Sequence, residues 1–282
     1  MKKYQAQTKF YIPDGKPFDE AIKRTTHLGI VAHHDDLEIG MYDGILKCFM
    51  EPKKWFMGVV VTDGRGSARG GTYANYSDEM MANIRILEQE KAAFVGDYGL
   101  QAFLNYTSKE TKNAQNETIK EEIKKLILDA NPEVIYTHNL ADKHDTHIGV
   151  VTKVVKAIRE LPKEKRPKKL YGCEVWRDLD WLLDQEKVVF DVSKKPHLAN
   201  SLIEIFDSQI DGAKRYDLAC IGRRVANATY LSSHTNDEMT AAIYAIDLTP
   251  LIEDDNLSMT EFTLEAIERF KNDVKTRIEK MI

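Results

Sequence analysis

The sequence predicts an α/β fold: a Rossmann-like, mostly parallel sheet with helices on both faces, plus a C-terminal α/β extension. Three observations predict it. Apolar runs at 28–32, 55–62 and 133–137 are nearly unbroken, as in strands buried on both faces of a parallel sheet. They alternate with longer segments whose apolar residues fall at helical spacing, and this β-then-α repetition argues for parallel strands joined by helices. Chemistry-bearing side chains gather directly after two of the runs, at strand carboxyl ends, where open α/β sheets bind their ligands.

Residues 1–25 read as a polar N-terminal extension with a turn at Pro13-Asp14-Gly15. A strand at about 27–33 follows, then a helix over 37–50 with Ile39, Ile45, Leu46 and Phe49 roughly on one face. Trp55 to Thr62 is a central strand that ends in the glycine-rich loop Asp63-Gly64-Arg65-Gly66-Ser67-Ala68-Arg69-Gly70-Gly71. Ser77 opens a helix to about Val95, with Asp78 and Glu79 in its first turn, where acidic groups suit the helix dipole. A strand near 100–105, a helix at about 116–129, the strand at 133–137 and a helix at about 146–160 complete the alternation. Beyond them lie strands at Leu170–Val175 and Val188–Val192, helices at about 196–210 and 213–228, a strand near 241–247 and a helix at about 259–280. Phe262, Leu264, Ile267, Phe270, Val274 and Ile278 form much of a stripe on that last helix, which predicts core packing or a contact in a homo-oligomer. No internal repeat or low-complexity linker interrupts the chain, so one domain is expected over 1–282, with a core at about 26–210 and an extension at about 211–282.

The composition narrows the class of partner. A chain of 282 residues that is 43% hydrophobic can bury a sizeable core. Its net charge of −5 lacks the basic bias of a nucleic-acid binder, and the basic stretch 163–169 reads as a solvated loop before a strand. Cys48, Cys173 and Cys220 are odd in number and far apart, which argues against a disulfide framework or a cysteine-rich zinc site and for buried thiols in a reducing compartment. No segment has the ~20 apolar residues of a membrane helix, and no apolar stretch of a signal peptide follows Met1. The expectation is a cytoplasmic protein with a small-molecule partner, neither nucleic acid nor membrane.

Ala32-His33-His34-Asp35-Asp36 places four metal- or proton-handling side chains in a row just past the first strand. Burying two carboxylates and two imidazoles there is costly without a cation or a hydrogen-bonded network, so the cluster predicts a metal site. A second cluster, His138, Asp142, His144, Asp145 and His147, follows the strand at 133–137, and five of the eight histidines lie in the two clusters. His144 and His147 are three apart, one turn of a helix, and so can face the same side.

With these motifs in order, the chain resembles the LmbE-like, or PIG-L, family of zinc-dependent N-acetyl-sugar deacetylases. The family's first signature, Ala-His-Pro-Asp-Asp-Glu and its relatives, is matched by Ala32-His33-His34-Asp35-Asp36-Leu37-Glu38-Ile39-Gly40, and its His-Pro-Asp-His by His144-Asp145-Thr146-His147. Thr62-Asp63-Gly64 fits the strand end between them. Arg85, Glu88, Ala92, Ala93 and Gly96 fit the family's helix motif, and Asp191 and Ser208-Gln209 a later strand and helix, so the likeness spans about 27–210. His34 replaces the usual Pro, Thr146 the usual Asp, and Met41-Tyr42-Asp43-Gly44 alters a glycine pair. In the family the second-signature Asp orients the neighbouring His; Thr146 lacks the charge, and Asp145 could substitute with shifted geometry.

The resemblance implies His33, Asp36 and His147 as metal ligands, with zinc as the metal, although two His and a carboxylate also suit Fe2+, Co2+ or Ni2+. It implies Asp35 as general base toward a metal-activated water, provided a tight turn brings it beside Asp36, and His144 as donor to the developing oxyanion. Acetate and a free amino sugar would be the products. Asp35 also suits a helix cap, and His144 a purely structural role. His34 is read as a wall of the site or a residue supporting it from behind, and not as a ligand; His138 and Asp142 are read as its rim. Arg65 and Arg69 on the glycine-rich loop are candidate grips on a substrate hydroxyl or anion, or solvated loop charges; Trp176 is a candidate stacking surface for a sugar ring, or core. The loop lacks the Gly-Lys-Ser/Thr ending of a P-loop. A metal-dependent phosphoesterase and a catalytically weakened sugar- or metal-binding module are the rival classes; the first needs bridging carboxylates and more ligands than the clusters offer.

Overall fold

Five parallel strands carry the site, and their order decides where it forms. The computed structural model describes residues 4–282. In chain order its elements are β1 (Lys9–Tyr11), α1 (Phe18–Lys23), β2 (His27–Val31), α2 (Asp36–Gly40), α3 (Tyr42–Cys48), β3 (Phe56–Thr62), α4 (Asp78–Val95), β4 (Leu100–Tyr106), α5 (Ser108–Lys112) and α6 (Glu117–Ala130). Then come β5 (Val134–His138), α7 (Asp145–Arg159), β6 (Lys169–Cys173), β7 (Lys187–Asp191), α8 (Pro196–Glu204), α9 (Asp207–Ile210), α10 (Tyr216–Tyr230), β8 (Ala242–Asp247), α11 (Pro250–Glu253) and α12 (Met259–Glu279).

The strands form one sheet in the order β1-β4-β3-β2-β5-β6-β8-β7. The inner run β4-β3-β2-β5-β6 is parallel, with Ile30 opposite Val59 and Gly29 opposite Tyr136. From β2 the chain winds outward to β3 and β4, then returns to start β5 on the other side of β2. The adjacent carboxyl ends of β2 and β5 are therefore a topological switch point, where a crevice opens. The flanks are antiparallel: β1 pairs with β4, and β8 lies between β6 and β7. The sheet is thus mixed, more so than the largely parallel one expected. β8 completes it from within, so residues beyond 210 are built into the sheet and do not hang from it.

Side chains alternate across the strands and feed two cores. Met57, Val59 and Val61 of β3 join Ile123 of α6 and Val154 of α7 on one face, while Phe56 and Val60 join Ile45 of α3, Ala92 of α4 and Leu202 of α8 on the other.

Four departures have physical causes. The N-terminal segment is more than a polar extension: after the turn closed by Gly15 N–H donating to Ile12 O, α1 packs down, and Tyr4, Phe10 and Phe18 form an edge-on aromatic cluster at 4.7–5.9 Å. A strand of three residues is too short to show a period. The helix expected over 37–50 breaks at Met41, because Arg224 Nη2 donates to Glu38 O (2.6 Å) and Ile39 O (3.3 Å), the carbonyls that a continued helix would use. The helix expected over 196–210 breaks before α9, where the Ser208 N–H donates to Glu88 Oε1 at 2.7 Å in place of a helical carbonyl. On α12 the predicted stripe is not core: only Thr263 and Ala266 are buried, and Leu264, Val274 and Ile278 are exposed. Among the described residues no helix is long and apolar enough to cross a membrane.

Candidate active site

The loop after β2 turns sharply at Asp35, whose φ of +85° puts a non-glycine residue in the left-handed region just before α2. Aspartate tolerates this region better than most residues, and strain of this kind tends to sit at functional sites. The turn lets two neighbouring carboxylates serve one crevice, as an extended chain would not. Asp36 Oδ2 accepts the His33 N–H at 2.8 Å and lies 3.2 Å from His33 Nδ1 and 3.3 Å from His147 Nε2. His33 Nδ1 and His147 Nε2 are 3.1 Å apart. The structure therefore brings His33, Asp36 and His147 to one point.

His147 comes from the first turn of α7, which His144 caps: His144 Nδ1 accepts the Thr146 N–H at 3.3 Å. Asp142 lies behind both. Its Oδ2 is 2.9 Å from His147 Nδ1, and its Oδ1 accepts the His144 N–H at 2.9 Å. Asp142 is buried and orients His147, so it is not on the rim; Asp145, the residue considered for such a role, is exposed, and Thr146 is buried. His138 is also buried rather than on the rim. Its ring stacks on His147 at 3.8 Å, and its Nε2 accepts the Ala32 N–H at 2.9 Å. That bond occupies the lone pair of the only His138 nitrogen that faces Asp36, at 3.5 Å. His138 thus backs the group. His34 does not wall the crevice; it is buried beneath it, stacked on Phe103 at 5.8 Å.

Asp35 is the head of a buried chain of polar contacts. Arg85 Nη2 donates to Asp35 Oδ2 at 2.9 Å and to the His34 carbonyl; Arg85 Nη1 donates to Glu88 Oε2 at 3.2 Å; and Ser208 Oγ donates to Glu88 Oε2 at 2.7 Å. The residues of the helix motif and the Ser208-Gln209 pair therefore meet the first signature in space. Gly64, at φ +72°, makes room: a Cβ there would lie 3.0 Å from both His34 Nδ1 and Arg85 Cβ.

Burial raises Asp35 to about 6, against the lowering pull of Arg85 and with a push from Asp36. Burial also works against the charged ring of His147, but Asp36 and Asp142 outweigh it and hold the ring up, at about 10. His144 falls to about 4 through burial and the neighbouring His33 and His147.

These groups open into a cleft of about 430 Å³. His144 and Trp176 line it with rings 6.4 Å apart, and Tyr216, Gln209, Lys112 and Lys214 complete the wall. Arg65 and Arg69 are absent from the wall. Arg65 Nε pairs with Asp63 at 2.5 Å and Arg69 with Asp78, so neither loop arginine is brought to the crevice. Lys112, Lys214 and Tyr216 went unread in the sequence. They stand on α5, in the loop before α10 and at its first residue, and no local pattern in the sequence ties them to the clusters.

Residues 28–158 match the family described as PIG-L, GlcNAc-PI de-N-acetylase. That match covers a little under half of the chain. Both clusters, Asp142 and the Arg85–Glu88 motif lie inside the matched residues, whereas Gln209, Lys214 and Tyr216 line the cleft from beyond them and Ser208 reaches in to Glu88. Solved structures share the fold. N,N'-diacetylchitobiose deacetylase from Pyrococcus horikoshii superposes with a TM-score of 0.63 at 16% identity, over 82% of this chain and 86% of that one. A 4-carboxy-2-hydroxymuconate hydratase from Pseudomonas putida KT2440 gives 0.58 at 15% identity, over 79% and 96%. The zinc-inhibited form of a teicoplanin deacetylase gives 0.56 at 13% identity, over 79% and 97%. At such identities the likeness is one of fold. None of the curated proteins matches the chain in sequence.

Proposed function

We propose that this protein is a metal-dependent hydrolase that removes the acetyl group from an N-acetylated amino sugar or a conjugate of N-acetylglucosamine. The observation that carries the reading is the meeting of His33, Asp36 and His147, with donor atoms 3.1–3.3 Å apart, beside the buried Asp35 carboxylate. Bonds of about 2.0–2.1 Å around a tetrahedral ion separate its donors by roughly 3.3 Å, so the three residues fit zinc, and their chemistry fits Fe2+, Co2+ or Ni2+ as well. When bound, such a cation polarises a carbonyl and lowers the pKa of water.

The chain's own residues supply the rest. With its pKa near 6, Asp35 is ionised at neutral pH, and it takes the proton of the attacking water. Arg85 fixes its Oδ2. Once protonated, Asp35 returns that proton to the departing amine. His144 accepts a backbone N–H at Nδ1, so the neutral ring carries its proton on Nε2. From there it donates to the oxygen of the former carbonyl. Trp176 offers a face to the sugar ring. The three cysteines, free and buried, support a reducing, cytoplasmic setting. Because β8 completes the sheet and Gln209 and Tyr216 complete the cleft, the chain acts as one domain.

A hydratase shares the fold, so fold does not decide the reaction; the product does. The test is metal content together with acetate release from N-acetylglucosamine conjugates, wild type against Asp35→Asn. Roughly one equivalent of divalent metal, with acetate release abolished in the variant, is expected. Bound metal without acetate from any conjugate would refute the deacetylase reading.

A further inference from the structure

The mouth of the cleft carries cations that the chemistry above does not use. Lys112 and Lys214 line it, and both are exposed. Lys214 Nζ lies 5.3 Å and Lys143 Nζ 5.5 Å from the centre of the Trp176 ring. The three stand on different parts of the chain: the end of α5, the loop before α7 and the loop before α10. None of them forms an ion pair among the described residues, whereas Arg65 and Arg69 on the nearby loop are each paired with an aspartate. The carboxylates that line the cleft, Asp35 and Asp36, are engaged by Arg85 and by the histidines. A second pocket of about 160 Å³ shares Ile39, Val175, Trp176 and Tyr216 with the cleft. Arg224 is in its wall, a buried guanidinium whose hydrogen-bond partners are carbonyls and not carboxylates; the pocket's Asp178 is offset by Arg223 at 3.8 Å, and burial lifts its Glu174 to about 7. In a chain of net charge −5, this mouth is a local excess of positive charge. Low-dielectric walls focus such a field on an anion.

We infer that the substrate carries an oxyanion on the part remote from the acetamide, held at the mouth by Lys112, Lys143 and Lys214 around Trp176. The inference rests on the deacetylase reading for the identity of the sugar, but not for the charge. Its chemistry suits a carboxylate or a phosphate, and the probes separate the two: methyl N-acetylglucosaminide, its carboxymethyl counterpart and N-acetylglucosamine 1-phosphate. Calorimetric binding to the metal-loaded protein is measured for each, alongside acetate release.

At low ionic strength one or both anionic probes should bind about tenfold more tightly than the methyl glycoside, the expected size of a charge-assisted contact. The gap should close in high salt and in Lys112→Gln/Lys214→Gln, whose exposed sites pose little risk to folding. Which anion leads names the source of the charge. Equal binding of all three probes, or a gap that the double variant and salt leave intact, would overturn the inference. An anion preference without acetate release would instead refute the deacetylase reading and leave the charged mouth standing.

Discussion

Asp35 and Asp36 are adjacent and chemically identical, yet the structure gives them opposite surroundings. Asp36 sits among three imidazoles and is held well below the usual carboxylate range: burial opposes ionisation, and His147 and His33 outweigh it. Asp35 has one guanidinium and much burial, so it rises to about 6. Carboxylates pushed apart in this way divide into ligand and base. Two outcomes follow. Asp35→Asn should keep its metal while losing about 10²–10⁴-fold in kcat, measured as acetate release against metal content. In the wild type, kcat/KM should fall as pH drops below about 6, where Asp35 takes up a proton, and a pH–rate profile checks this. Asp142 supports His147 from behind, at 2.9 Å. Asp142→Asn should weaken metal binding about 10–100-fold in a competition titration with a chelator, the usual scale for removing a partner behind a ligand.

At the level of elements, close approach decides what substitutions are tolerated. Gly64 follows β3 at a positive φ, and a Cβ there would press on His34 and Arg85. Gly64→Ala should destabilise the protein by about 1–3 kcal/mol in urea unfolding, from backbone strain and displacement of Arg85. The splitting of the helix at Met41 has a comparable origin, since Arg224 takes the carbonyls that would have continued it. α12 is the contrary case. Its last turns bury nothing, and Val274 and Ile278 are exposed. Removing residues 271–282 should leave the urea midpoint almost unchanged, as for surface changes away from packing.

Across the whole molecule, a metal held at the proposed site would be coupled to the fold through protons. Without a cation, His147 is charged and lies between Asp36 and Asp142. Its pKa in the fold, about 10, stands above its ordinary 6.5. Its contribution to stability is therefore complete below about 6.5 and is lost as pH rises through 10. The chelated protein should lose Tm steadily over that window, while added divalent metal, which must displace a proton from His147, should restore more Tm the higher the pH. Thermal melts from pH 6 to 10 with and without metal test both trends.

The strands, their parallel core and the two clusters were legible because they are local. Runs such as Phe56–Thr62 declare a buried strand, and Ala32-His33-His34-Asp35-Asp36 declares chemistry at its end. Ser77, at the start of α4, was equally plain, because a cap is settled within four residues. By itself the sequence determined an α/β sheet with two clusters of potential metal-binding side chains at the carboxyl ends of its strands. Only the tertiary structure decided which carboxylate stands behind His147, that His34 and His138 are buried packing, that the loop arginines face aspartates, and that Lys112 and Lys214 share one mouth. Those outcomes depend on contacts between residues far apart in the chain, such as Lys112 and Lys214 at one cleft and Glu88 with Ser208, and no periodicity or spacing encodes which distant segments the sheet order will bring together.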